Sequence, residues 1–187
     1  MTLGTALALA GAAMAIILAA TGSTIGVVKI SSAANAILAK EPKYFSRLLI
    51  LMLLPSSQSI YALVVSFMTF VNLGIIGGPV AALSTATGLS IFFLCLPVGF
   101  VGLISAIMQG NVGVTAVGLF AKRNKLFGST ILIISASEVF ALFAFLISML
   151  GILFIDISAY VPVAEAAKSV VNCCCSAVLP VSQIPVS

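Results

Sequence analysis

Charged residues are almost absent from three long stretches of this chain. None lies between Met1 and Lys29, none between Arg47 and Lys122, and Glu138 stands alone between Lys125 and Asp156. A helix of about 20 apolar residues crosses a bilayer. The first stretch has room for one such helix, the second for two and a turn, and the third for one more. The pattern predicts four helices, over roughly 3–39, 47–72, 80–120 and 128–155. The first and third are longer than a bilayer needs, so each is expected to project into water at one end. The expected fold class is an all-α membrane protein, with four transmembrane helices as two tandem helical hairpins. Residues 1–72 would form the first hairpin, 73–155 the second, and 156–187 a C-terminal tail.

Composition agrees. Of 187 residues, 62% are hydrophobic and 6% charged, with no His and no Trp. Soluble domains carry about 25% charged residues, so lipid is the expected solvent. Basic residues set the orientation. Lys40, Lys43 and Arg47 lie in AKEPKYFSR, and Lys122, Arg123 and Lys125 in AKRNKLFG. Both loops join an odd helix to an even one, so both lie on one side. The positive-inside rule puts loops 40–47 and 121–128 in the cytoplasm, with both termini and the turn NLGIIGGP outside. The net charge of +4 arises largely in these loops and speaks of topology, not nucleic acid.

The opening run MTLGTALALAGAAMAIILAA has no basic start and is long for a signal segment, so it reads as a retained span. Cys95 falls in the third helix and Cys173, Cys174 and Cys175 in the tail. Their spacing suggests no metal site.

The two halves repeat one plan: a long Gly/Ala-rich helix, a short basic loop, then a bulkier helix. AILAKEPKYF matches GLFAKRNKLF, and SIYALVVSFM matches EVFALFAFLISM, as an old duplication would. In this register Ser59 lies opposite Glu138, so the halves share a scaffold but only one has the carboxylate. Gly4, Ala8, Gly11 and Ala12 line the first helix, and Gly99, Gly102, Gly110 and Gly113 the third. Small residues let helices approach closely in lipid. A hairpin with one slim and one bulky helix is a wedge, and wedges placed side by side close into a ring.

Few polar side chains at membrane depth have the capacity to bind an ion. Leu54, Ser57, Gln58 and Tyr61 recur at the spacing of one helical face. Pro55 has no amide hydrogen and clashes with the carbonyl a turn before it. The helix is expected to open there and free carbonyl oxygens, which suit a hard cation. Gln109 adds an amide from the third helix. Glu138 lies about ten residues into the fourth predicted helix, near the bilayer middle. A carboxylate there costs on the order of 2.5–3.5 kcal/mol on insertion scales. Protonation or a bound cation would cancel its charge, so only a loaded site could face lipid. A structural role for Glu138, as hydrogen-bonding glue between helices, remains the plainer alternative.

These residues resemble the membrane rotor subunit of V-type rotary ATPases, the c or K subunit, also called the proteolipid. LPSSQSIYALVVSF is similar to the family's Leu-Pro-x-Thr-Gln-Gly-Ile-Tyr segment. LPVGFVGLISAIMQGNVG resembles its glutamine segment, and SEVFALFAFLISML its glutamate helix. The resemblance covers about residues 3–155. It implies a homo-oligomeric ring turned by a soluble motor, in contact with a membrane stator subunit, central-stalk subunits and the bilayer, and binding no nucleic acid. Glu138 would be the ion carrier. Leu54 would offer its carbonyl, Ser57 its hydroxyl, and Gln58 and Gln109 their amide oxygens, while Tyr61 would hydrogen-bond Glu138 and close the site.

The hydroxyl and both glutamines resemble the sodium-binding bacterial members, so Na+ is the expected cargo and H+ the alternative. Ser57 stands where Thr is usual, and Ser59 where Gly is common. No GxxxxGK[ST] loop is present, so ATP hydrolysis is expected of other subunits and not of this chain. The competing reading is a structural or pore-forming four-helix proteolipid without rotary coupling. A third is a small secondary transporter built on the repeat.

Overall fold

The computed structural model describes residues 2–76, 83–123 and 126–155. Four membrane-length spans account for nearly all of them, and the described residues contain no strand. The first span is one helix, α1 (Leu3–Leu38). The second comprises a 3-10 turn at Pro42–Tyr44, α2 (Phe45–Leu53), a second 3-10 turn at Leu54–Ser56, and α3 (Ser57–Asn72). The third is α4 (Thr85–Lys122). The fourth comprises α5 (Phe127–Ala136) and α6 (Glu138–Phe154).

At 1.5 Å per residue, the 36 residues of α1 and 38 of α4 extend well over 50 Å, against about 30 Å of hydrocarbon. The long odd helices expected from the sequence are therefore present. The start of α4 differs from the expected one near residue 80. Leu83 and Ser84 are not helical. Ser84 caps the helix, its hydroxyl accepting the Thr87 N–H at 3.2 Å, which satisfies one of the amides a helix start leaves unpaired. Thr2 caps α1 in the same way and also donates to the Leu83 carbonyl at 3.0 Å. Residues 77–82, Lys125 and the tail from Asp156, with Cys173, Cys174 and Cys175, lie outside the described residues.

The small residues of α1 and α4 face each other. Ala8, Ala12, Ala15 and Ala19 are fully buried. Gly26 and Gly110 meet so closely that a methyl group on Gly110 would stand 2.5 Å from the Gly26 Cα. Only glycine permits that approach, which brings backbone into dispersion contact with backbone. Matching positions of the two halves pair along this seam. Lys29, in α1, donates to Asn111 of α4 at 2.8 Å, and the two are 82 residues apart. Gly4 packs on Gly88 near one end, and Ile30 on Gly113 towards the other. The helices therefore run parallel, and the hairpins lie side by side pointing the same way.

The bulkier spans form a second layer. α3 packs on α1, α4 and α6, whereas α6 packs on α4 and α3. Ser66 of α3 ties the layers by donating to the Ala12 carbonyl at 2.8 Å. Outward faces are apolar: Leu132 is 73% exposed, Phe140 67% and Phe154 82%. Such faces suit lipid or further copies of the chain.

Candidate functional site

Both bulky spans are interrupted near their middles, and the polar residues gather at the two interruptions. In the second span the cause is Pro55, which cannot donate to the carbonyl four residues earlier. The chain tightens into the 3-10 turn Leu54–Ser56. Ser56 donates its hydroxyl to the Leu53 carbonyl, and Ser57 donates to the Leu54 carbonyl at 2.9 Å. The expected opening is thus present, but its carbonyls already have hydroxyl partners.

The fourth span, expected as one helix, also breaks. Ser137 separates α5 from α6, and Glu138 is the first residue of α6. There is no proline. Instead the Ser137 hydroxyl donates to the Ile134 carbonyl at 2.7 Å, and its backbone N–H reaches the same oxygen at 3.3 Å. A hydroxyl that bonds back to its own backbone competes with the helical ladder and bends it.

Two hydrogen-bonded groups result. In one, Gln58 donates from Nε2 to Gln109 Oε1 at 2.7 Å, and the Ser57 hydroxyl lies 3.4 Å from Gln58 Oε1. Both glutamines are fully buried, and a buried amide needs such partners. In the other, the Tyr61 hydroxyl donates to Glu138 Oε1 at 2.7 Å. The Tyr61 ring lies 5.3 Å from that of Phe145, which fixes its direction. The carboxylate is half-buried.

The groups adjoin at both ends. Ser57 and Tyr61 are one turn apart on α3. Gln109 donates to the Ile134 carbonyl at 3.5 Å, one turn before Glu138. Leu54, Ser57, Gln58 and Gln109 are therefore linked to one another, and Glu138 to Tyr61. No bond joins the carboxylate directly to either glutamine. The arrangement offers one anionic oxygen pair beside neutral oxygens of three chemical kinds, the donor set a hard cation prefers. Ser59, opposite Glu138 in the sequence register, turns away and donates to the Ala19 carbonyl at 3.5 Å.

Sequence reasoning missed Ser105 and Ser137. Ser105 of α4 donates to the Ser137 carbonyl at 3.0 Å. The only signal was the serine-rich run SASE, which is ordinary in composition.

Comparison with known proteins follows the same two-part division. The family profile of the ATP synthase C subunit matches twice, over residues 10–69 and 92–151. The V-type sodium ATPase subunit K of Enterococcus hirae is 34% identical over 150 residues, covering 80% of this chain and 92% of that protein. The A-type ATP synthase subunit K of Methanocaldococcus jannaschii is 26% identical over 140 residues, covering 75% of this chain and 59% of that protein. With four apolar spans in two parallel hairpins, this chain belongs to the ATP synthase C-subunit family, the membrane rotor subunits of rotary ATPases, which are not themselves catalytic.

Proposed function

We propose that this rotor protein transports Na+, with Glu138 as the carrier and the Leu54 carbonyl, Ser57 hydroxyl and Gln58 and Gln109 amide oxygens as further ligands. The observation that carries the reading is the Tyr61–Glu138 bond of 2.7 Å, which ties the carboxylate to α3, the helix that also carries Ser57 and Gln58. The sodium ATPase named among the relatives favours the same cargo.

Loading would exchange hydrogen bonds for coordination. Gln109 Oε1 is engaged by Gln58 Nε2, and Gln58 Oε1 faces Ser57. An entering cation takes these oxygens, and the Gln58 amide gives up its bond to Gln109. The carboxylate then has a counter-charge and can pass through lipid without the penalty of a bare anion. Tyr61 keeps the loaded carboxylate turned inward. Identical copies would form the ring, a membrane stator subunit would open each site in turn, and central-stalk subunits would dock on the cytoplasmic loops.

Dicyclohexylcarbodiimide tests the reading, because it modifies carboxyl groups that are protonated in an apolar setting. Labelling of Glu138 that millimolar Na+ suppresses is the expected result. Labelling that ignores Na+ and falls only as pH rises would assign the cargo to H+. Absence of labelling, with full transport in a Glu138→Gln variant, would leave a structural proteolipid.

A further inference from the structure

α4 reaches the interruption before Glu138 with two side chains one helical turn apart. Gln109 donates to the Ile134 carbonyl at 3.5 Å and Ser105 to the Ser137 carbonyl at 3.0 Å. The second contact has a direct geometric consequence. The Ser137 carbonyl and the Glu138 N–H belong to one planar peptide unit. Holding that oxygen holds the plane from which the Glu138 side chain departs.

Backbone at an interruption has freedom that a helix interior lacks. The turn at Ser137 is closed on one side by its own hydroxyl bond to Ile134. Ser105 closes it on the other, from a different helix. Ser105 is 8% exposed, so water competes little for its bond. Ser23 provides the contrast. It occupies the same place in the first matched repeat as Ser105 does in the second. It is buried as well, yet its hydroxyl has no partner. The bulky span of the first repeat carries no carboxylate, and there the inner serine holds nothing. The bonded serine is the one whose repeat contains Glu138.

We infer that Ser105 is a positioning residue for ion binding: its hydroxyl fixes the Ser137 carbonyl and thereby aims the Glu138 carboxylate at Tyr61 and the ligand oxygens. This rests on the reading of Glu138 as the ion carrier. The role differs from helix glue, because it acts on affinity at the carboxylate and not only on assembly.

The test uses purified full-length protein in its assembled form and reads carbodiimide labelling of Glu138 against Na+ concentration and against pH. Ser105→Ala should raise the Na+ concentration needed for half-protection about fivefold, the effect of one lost hydrogen bond. Ser105→Thr, which keeps the hydroxyl, should restore protection to near the starting value. Ser23→Ala should leave it unchanged. If Ser105→Ala does not assemble, Ser105→Cys puts the same question with a side chain of similar size and a weak donor. Assembled Ser105→Ala or Ser105→Cys protein with unaltered Na+ protection and an unaltered pH profile would overturn the inference. So would an equal effect of Ser23→Ala. If Na+ protects no variant, the sodium reading fails separately, and a displaced pH profile in Ser105→Ala alone would still support the positioning role. Failure of Glu138 to label in the unsubstituted protein would overturn both.

Discussion

Tyr61 and Glu138 meet across the two bulky spans, with the phenolic hydroxyl donating to a carboxylate oxygen at 2.7 Å. Hydrogen bonds to a charged group contribute more than neutral ones, about 1.5–3 kcal/mol. Tyr61→Phe keeps the ring and its packing on Phe145 but removes this bond. The variant should assemble normally. Its Glu138 should react with carbodiimide faster, and the Na+ concentration for half-protection should rise about tenfold. Unchanged labelling kinetics would remove Tyr61 from the closing of the site.

The slim layer invites a paired test at two glycines of α4. Gly110 lies against the Gly26 backbone, and an added methyl group would stand 2.5 Å from its Cα. Gly110→Ala should force α1 and α4 apart, costing about 1–3 kcal/mol as overpacking does, and the yield of assembled protein in detergent should fall. Gly118 has nothing within 4 Å of the same added methyl group. Gly118→Ala should leave assembly intact and raise the melting temperature, by up to about 1 kcal/mol of helix propensity. Equal behaviour of the two would show that close approach is not what holds the layer.

Ser148 of α6 is completely buried, and its hydroxyl has no hydrogen-bond partner. Leaving a polar group in that state costs about 1–3 kcal/mol. Ser148→Ala removes the cost and little volume. Thermal denaturation in detergent should show equal or greater stability. A clear loss would mean that the hydroxyl is satisfied in the assembled protein.

The basic loop holds an ion pair, Lys43 to Glu41 at 2.7 Å. The hydrogen bond from Lys43 holds the Glu41 carboxyl below the usual carboxylate range. A depressed value adds stability above the unfolded-state pKa and loses it as pH falls through the folded one. Both groups are exposed, and water and salt screen them. Lys43→Ala should therefore leave the melting temperature unchanged at pH 7, and equally so across the acidic range. A measurable drop would reveal a partner that buries this loop.

What the sequence disclosed, and what it hid, follows from the range of the forces involved. The four spans were legible because charges are so rare: Lys40–Arg47 and Lys122–Lys125 mark two boundaries, and the uncharged stretch between them is long enough for two spans and a turn. The break at Pro55 was legible because a missing amide hydrogen is a covalent fact. The break at Ser137 was not. It arises from one hydroxyl bonding back to Ile134 and from Ser105 arriving on another helix, whereas Ser32 and Ser90 bond back to their own helices without breaking them, so a serine alone does not announce a break. The start of α4 at Thr85 depended on capping by Ser84, a short-range signal outweighed by the apolar run around it. The polar residues themselves were legible as a helical face, but not that Gln58 and Gln109 would bond to each other. That contact depends on how closely the small residues let the helices approach.

Gln109 separates the two cargoes most cleanly. Its side chain performs two tasks: Oε1 accepts from Gln58, and Nε2 donates to the Ile134 carbonyl. Gln109→Leu preserves size and burial but removes both, leaving the Gln58 Nε2 donor unpaired at a cost of about 1–3 kcal/mol, while the Ile134 carbonyl keeps its bond from the Ser137 hydroxyl. A proton needs only the carboxylic acid, so a proton carrier would lose stability yet keep Glu138 labelling and its pH dependence. A sodium carrier would lose a ligand as well. The expected outcome is that Gln109→Leu protein still labels at Glu138 in the absence of Na+, while the Na+ concentration for half-protection rises by about thirtyfold or more. Sodium-driven protection that survives this substitution at its original concentration would exclude Gln109 from the coordination shell and shift the cation towards Tyr61 and the Leu54 carbonyl.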